Sequence, residues 1–239
     1  MEVRGPAPVN ALLNGHCKEG EPLRAFALLM EMCGDERGCP PDRISFGIVL
    51  TALLRAGETA AAWQTYKRME RAGFEADGRA LDTLARGLCR RCATDVSALG
   101  DAREVFAKLV ASGHEPVSYT YCLMAQALAR GGEVDAAVAL LEEMVRRGYA
   151  LRKRAYTDVV RALCDRGRAR DALRVLVLVM IVRDFVPGRN AFDALLGELG
   201  RQGRWTDAIA VYAAAVKRSV VVSWKHLSRE EPVWVGVSQ

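Results

Sequence analysis

Five segments of this 239-residue chain are variations on one theme: Ala11–Gly20, Ile48–Gly57, Leu123–Gly132, Asp158–Gly167 and Ala194–Gly203. Each reads as an amphipathic helix ended by glycine, the residue that takes the left-handed C-cap conformation without a Cβ penalty. Thr83–Cys92 follows the same pattern without the terminal glycine. Units beginning at Pro6, Arg43, Gly78, Ser118, Lys153 and Arg189 then lie 35 to 40 residues apart. The surplus over 35 falls around Cys33–Gly38 and Ala93–Ser97, where turns belong, and turns absorb insertions most readily. A period of this length points away from one closed core. Each unit is a single supersecondary piece that buries its apolar face only against its neighbours. The sequence therefore predicts a repeat array over 6–216 and a tail over 217–239.

The columns of the array carry the packing. An apolar anchor opens each first helix: Val9, Phe46, Leu81, Tyr121, Tyr156, Phe192. Three residues on stand Leu12, Val49, Leu84, Met124, Val159 and Leu195, and four further on His16, Leu53, Leu88, Leu128, Leu163 and Leu199. Steps of three and four put these on one helical face. In the second helix one column is alanine in all six units: Ala25, Ala62, Ala102, Ala137, Ala172, Ala208. Four residues later comes a bulky residue each time, as in Leu29, Tyr66 and Leu141. Alanine in every unit beside a bulky column means helices crossing so closely that nothing larger fits. The fold expected is all-α, a right-handed α-solenoid of about six helix–turn–helix repeats. The tail stretch Val220–Trp224 is read as a cap on the last hairpin.

Composition adds exclusions. The net charge of +5 is compatible with a polyanionic partner. The longest apolar stretch, near Val175–Val182, is under half a membrane span, so no membrane partner is expected. Seven cysteines, an odd number in a chain too long to need staples, suit a reducing compartment. Cys89 and Cys92 form the one tight pair, and a zinc site needs two further ligands at comparable spacing that the scattered histidines do not offer. The cysteines are read as small buried apolar side chains. Residues 1–9 hold neither an apolar core nor an Arg/Ser-rich amphipathic helix, so no targeting peptide is read there and the chain is taken to start inside a longer precursor.

With the columns in view, the sequence resembles the pentatricopeptide repeat family in its plain P-type form, whose plant members act in organelles. The family's unit reads roughly Val-Thr-Tyr-Asn-Thr-Leu-Ile-x-Gly-Leu-Cys-Lys-x-Gly, then x-x-x-x-Ala-x-x-x-Phe-x-x-Met, then Gly-x-x-Pro-Asp. Asn10–Gly20, with its Cys17-Lys18, matches the first part. Ala25 to Met32, Ala62 to Met69 and Ala137 to Met144 match the middle; Pro41-Asp42, Ala76-Asp77 and Glu115-Pro116 match the end. The tetratricopeptide repeat, a 34-residue relative that binds peptides, fits less well. Against it stand the longer spacing, the Pro-Asp ending and an anchor column without tryptophan.

The resemblance implies one repeat per RNA base, read by the fifth residue of a unit together with its last. The fifth residues are Asn10, Gly47, Asp82, Cys122, Thr157 and Asp193; the last are Asp42, Asp77, Val117, Arg152 and Gly188. Asn10 with Asp42 is a pair the family commonly uses, and it implies uracil. Gly47 has no side chain to read with, Val117 no polar atom, and Cys122 with Arg152 departs from the usual pairs. Asn10 has a second reading, as a cap of its own helix. Near the end of each first helix stands Lys18, Arg55, Arg90, Arg130, Asp165 or Arg201. Two readings of these cations stand: they complement the helix C-terminus, or stacking lines them up as a ladder for a phosphate backbone, as the family's lysine in this column implies. The second residues are Ala7, Ile44, Arg79, Tyr119, Arg154 and Asn190. The resemblance makes this column a wedge between bases, with Ile44 and Tyr119 as stacking surfaces and Arg79 and Arg154 as guanidinium planes. Arg146 and Arg147 read as a solvated surface.

No catalytic constellation stands out. The editing extension found in the resembled family needs His-x-Glu and Cys-x-x-Cys around zinc, and the tail offers His226 without it. The function expected is non-catalytic binding of single-stranded RNA in organellar RNA processing, stabilisation or splicing, with the mitochondrion ranked ahead of the chloroplast. No cofactor, metal or small-molecule substrate is expected. The alternative is a protein-interaction solenoid, a tetratricopeptide-like scaffold or an adaptor that dimerises through its ends.

Overall fold

The computed structural model describes residues 6–34, 40–183 and 187–222. The first helices of the repeats are α1 (Pro6–Lys18), α3 (Arg43–Ala56), α5 (Gly78–Arg91), α7 (Ser118–Gly131), α9 (Lys153–Cys164) and α11 (Arg189–Arg201). The second helices are α2 (Pro22–Gly34), α4 (Thr59–Arg71), α6 (Leu99–Ala111), α8 (Val134–Arg146), α10 (Ala169–Arg183) and α12 (Trp205–Lys217). Among the described residues there is no strand, and no helix is long and apolar enough to cross a membrane. The protein is all-α. Its six first helices start at the six residues that open the repeats in the sequence.

The chain divides into two compact units, residues 1–120 and 121–239. In the N-terminal unit α3 packs on both α1 and α2, and α5 on both α3 and α4. In the C-terminal unit α11 packs on both α9 and α10, and α12 returns along α11. In each, a first helix lies against both helices of the hairpin before it.

The turns follow from residue type. Gly57 ends α3 at φ 81°, its N–H directed at the carbonyls of Leu53 and Leu54. A Cβ there would meet open space, so the left-handed backbone alone asks for glycine. Gly78 is the opposite case: a Cβ would lie 2.1 Å from the His114 ring, so close approach asks for it. The extra residues of the third repeat form a 3-10 turn at Val96–Ala98, where Asp95 accepts a hydrogen bond from the Ser97 N–H at 3.0 Å. The surplus near Cys33–Gly38 runs outside the described residues beyond Gly34.

The alanine column is the centre of the packing. Ala25, Ala62, Ala102, Ala137, Ala172 and Ala208 are each 0% exposed. Phe46, Leu81, Tyr121, Tyr156 and Phe192 of the anchor column are buried, and Val9 is half-buried. Leu12 departs from its column. Expected on the buried face, it is 52% exposed, because among the described residues no hairpin precedes α1 to cover that face, and Leu13 fills the core instead. Cys89, Cys92, Cys122 and Cys164 are buried free thiols, whereas Cys33 is exposed, against the expectation that all are buried; Cys39 lies outside the described residues. Burial pushes the Cys89 thiol up to about 12, which makes it unreactive at neutral pH. Of the proposed cap, Val222 is buried and Val221 exposed, while Trp224 and His226 lie outside the described residues.

Candidate nucleic-acid interface

The last residue of each unit is the N-cap of the next first helix, and this places the reading columns. Asp42 caps α3 through a hydrogen bond from the Ser45 N–H to Oδ1 at 2.7 Å. Asn10 lies inside α1, not at its start, so the capping alternative for Asn10 is corrected: the caps are Asp42 and Asp77. The Asn10 Nδ2 donates to Asp42 at 3.2 and 3.3 Å to the two carboxylate oxygens. The Ser45 hydroxyl lies 2.6 Å from Asn10 Oδ1 and 2.9 Å from Asp42 Oδ1, with one proton to give. The Ser45 backbone N–H, with the Ser45 and Asn10 side chains, holds the Asp42 carboxyl below the usual carboxylate range. Asn10 thus keeps one N–H and one oxygen lone pair for an outside partner, in an orientation fixed by two neighbours. Ser45 was not singled out in the sequence. Its signal is a hydroxyl three residues after a capping Asp, the signature of a reciprocal cap.

The other fifth-column residues differ. Gly47 has open space around its missing Cβ, and its partner Asp77 is engaged with the Ala80 N–H at 2.7 Å. Asp82 accepts from the Thr120 hydroxyl at 2.7 Å and pairs with Arg86 at 3.1 Å, while the Val117 N–H lies 3.4 Å from it. Thr120 stands where Ser45 stands two junctions earlier. Cys122 and Thr157, expected to face bases, are buried; Cys122 directs Sγ toward the Ala150 carbonyl at 3.9 Å, and Thr157 donates to the Lys153 carbonyl at 2.7 Å. Asp193 pairs with Arg189 at 3.1 Å. Arg152 is the exposed N-cap of α9, and Gly188, the N-cap of α11, donates its N–H to the Tyr156 hydroxyl at 2.9 Å.

The basic column splits in two. Lys18, Arg55 and Arg90 are exposed at the ends of α1, α3 and α5. The Arg90 guanidinium lies 5.8 Å over the Tyr119 ring, so one cation of the ladder and one candidate stacking residue adjoin. Arg130 is paired with Asp158 at 2.9 Å, and Arg201 with the buried Glu198. In the wedge column Ile44, at 61% exposure, is an apolar side chain held in water beside Asp42, and Arg79 and Arg154 are exposed. Arg146 and Arg147 both pair with Glu143, as a solvated surface requires. Among the described residues, His16, Glu19 and Glu21 bring possible metal-ligand atoms together, with His16 Nδ1 4.0 and 3.8 Å from the two carboxylates. Glu19 is mostly exposed.

Helix pairs of about 35 residues with capping aspartates and a basic column define an α-helical hairpin repeat as the class. The comparisons narrow it. A PPR repeat family model matches residues 9–55, and a PPR repeat model matches residues 44–74 and 119–149. These segments match pentatricopeptide repeats, and the chain is similar to proteins built from them. It is 26% identical over 166 residues to a chloroplastic pentatricopeptide repeat-containing protein of Arabidopsis thaliana, covering 69% of this chain and 21% of the relative. A mitochondrial one of the same organism is 27% identical, covering 70% of this chain and 19% of the relative. The chain thus spans about a fifth of the length of these curated relatives. Among solved structures it resembles the pentatricopeptide repeat protein PPR10 in complex with an 18-nucleotide psaJ RNA element. The TM-score is 0.59 at 25% identity, over 90% of this chain and 30% of that one. It shares the fold of the PPR domain of Arabidopsis thaliana protein-only RNase P 1, crystallised with tRNA, with TM-score 0.61 at 18% identity, over 74% of this chain and 91% of that domain.

Proposed function

We propose that this chain is a non-catalytic, P-type single-stranded RNA-binding module acting in organellar RNA processing, stabilisation or splicing. The observation that carries it is the Asn10–Asp42–Ser45 triad, which presents a fixed amide next to an exposed apolar wedge, Ile44, in a unit whose first helices end in three exposed cations. Amide edges read bases and cations hold phosphates, so the two groups divide specificity and affinity between them. The PPR10 complex supports RNA as the ligand class, and the chloroplastic and mitochondrial relatives support an organelle; the mitochondrion is ranked first. The test is anisotropy with a fluorescent single-stranded RNA of about 18 nucleotides, titrated between roughly 50 and 200 mM salt. The logarithm of affinity should fall linearly with the logarithm of salt, by about 0.7 per phosphate held. RNA affinity that is absent or insensitive to salt would overturn the proposal. Organelle assignment is checked by imaging a fluorescent fusion of the native protein.

A further inference from the structure

Where His16 stands, every other repeat has leucine: Leu53, Leu88, Leu128, Leu163 and Leu199, all buried. An imidazole in that column brings two ring nitrogens that leucine does not have, and each asks for a partner. His16 does not satisfy both. Its Nδ1 is the one buried side-chain nitrogen or oxygen among the described residues without a hydrogen-bond partner. A buried polar atom left so costs stability unless an ion or a water meets it.

The backbone decides what surrounds that nitrogen. Glu19 follows three residues later, on the side of α1 that carries His16. Gly20 then takes φ 81°, and the Glu21 N–H returns to the His16 carbonyl at 2.9 Å. This closure sets Glu21 beside the same ring. Nδ1 lies 4.0 Å from Glu19 Oε2 and 3.8 Å from Glu21 Oε2, too far to hydrogen-bond with either. Two ligands on one tetrahedral ion, each at about 2.0–2.2 Å, stand roughly 3.3–3.6 Å apart. The gap is therefore a few tenths of an ångström wider than an ion needs, and Glu19, with a side chain 70% exposed, is free to close it. The second repeat has the same turn, with the Glu58 N–H on the Leu53 carbonyl at 3.0 Å, but offers Leu53 and Ala56 in place of His16 and Glu19.

We propose that His16, Glu19 and Glu21 bind one divalent transition-metal ion, zinc by their chemistry, through His16 Nδ1 and one oxygen of each carboxylate. A neutral imidazole and two carboxylates balance a divalent charge, and the nitrogen ligand favours zinc over magnesium, which prefers oxygen alone. Glu21 Oε2 also accepts from the exposed Arg24 at 2.7 Å, so the ion takes Oε1 of Glu21 or displaces Arg24. Bound there, it clips the last turn of α1 to the start of α2. The three ligands fall within residues 16–21, so the site needs nothing ahead of α1 and no RNA, and it stands or falls apart from the RNA-binding reading.

The experiment uses the full 239-residue chain, stripped with a chelator and without RNA. Zn²⁺ binding is followed by calorimetry, Co²⁺ binding by absorption, and thermal unfolding is recorded with and without Zn²⁺. The wild type should bind Zn²⁺ and melt at a higher temperature with it, since the ion favours the folded turn. Co²⁺ should show the weak visible bands of nitrogen and oxygen ligands, without thiolate charge transfer in the near ultraviolet. His16→Leu supplies the side chain of the other five repeats, and Glu19→Gln changes a mostly exposed residue, so both should fold. Each should weaken Zn²⁺ binding by roughly tenfold or more, at least what loss of an outer-shell partner does. Four results overturn the proposal. These are a wild type that binds no Zn²⁺, variants that bind it as tightly as the wild type, thiolate bands that place the ion on cysteines, or equal binding of Mg²⁺, which would mark a carboxylate pair only.

Discussion

In the N-terminal unit Lys18, Arg55 and Arg90 end their helices in solvent without a carboxylate partner shown; in the C-terminal unit, at the same place in the repeat, the half-buried Arg130 pairs with Asp158, and Arg201, itself exposed, pairs with the buried Glu198. The fifth column splits the same way. Asn10 presents an oriented amide, whereas Cys122 and Thr157 are enclosed. One repeat register thus places its columns in two kinds of surroundings. A phosphate approaching Arg130 competes with a carboxylate 2.9 Å away and must leave that carboxylate unpaired, a cost an exposed surface cation does not carry. A basic column is a phosphate ladder only where nothing acidic in the next helix reaches it. The reading of these cations as mere complements of the helix end survives best for Arg201, whose partner Glu198 lies one turn back on its own helix.

What the two units share should break first and alike. Ala62→Leu in the N-terminal unit and Ala172→Leu in the C-terminal unit each place three extra carbons at a 0%-exposed position. Overpacking of that kind costs about 1–3 kcal/mol. Thermal unfolding should show a lower midpoint for both. An unchanged midpoint for either would mean that the alanine column does not mark the same crossing in the two units.

The next effect separates the units. Replacing Lys18, Arg55 and Arg90 together by Gln should lower the slope of log affinity against log salt by about 2, at roughly 0.7 per lost phosphate contact, whatever the RNA sequence. Arg130→Gln with Arg201→Gln should leave the slope nearly unchanged. Equal effects from both sets would mean that the two units do not differ in how their cations meet RNA.

Fold and site were legible to different depths. Period, helix starts and the alanine column are one-dimensional facts, because each repeat packs on the repeat beside it and every column recurs. That Asn10 and Asp42 belong together was implied by the family resemblance, and the two are hydrogen-bonded across 32 residues. Exposure was not. Leu12 sits in an apolar column yet is exposed, because among the described residues no hairpin covers that face of α1. Cys122 and Thr157 share a column with Asn10, yet burial depends on how the neighbouring helices close over them. Asp158 is unremarkable in the sequence, one acid on a helix, and its meaning comes from Arg130 reaching it across 28 residues. The residues at the place of Asp158 in the other repeats include Ile48, Thr83, Leu123 and Ala194, so this pairing leaves no periodic trace.

A smaller effect tests the reading residues. Asn10→Thr should remove uracil preference in a selection from randomised RNA, a loss of about 1–3 kcal/mol of discrimination by analogy with bidentate base contacts, with overall affinity nearly intact. Gly47→Asn should add a second read position, since a Cβ there meets open space and Asp77 already caps the next helix. The Asp42 cap sets a pH limit. Its carboxyl titrates below the usual carboxylate range, so the stability it lends is full above the ordinary carboxylate pKa and is lost as pH falls through the lower folded value. A selected motif of six or more defined bases would show that the enclosed residues of the C-terminal unit read after all.

The smallest expected effect is also the most direct test of the comparison. Asp158→Asn keeps the shape of the side chain and its place on α9 but removes the charge that holds Arg130. If the C-terminal unit is silent toward RNA because its cations are already neutralised, freeing one should convert it toward the behaviour of Arg55 in the N-terminal unit. The salt slope should steepen by about 0.7, one phosphate's worth, and affinity at low salt should rise a few-fold. The gain is small because Arg130 is only 28% exposed and must reorient to meet a ligand. The double change Asp158→Asn with Arg130→Gln supplies the control, since it should return the slope to the wild-type value. A steeper slope that persists without Arg130 would trace the gain to net charge alone. No change in either variant would mean that Arg130 lies away from the strand, and that the ladder ends with the N-terminal unit for reasons of position and not of pairing.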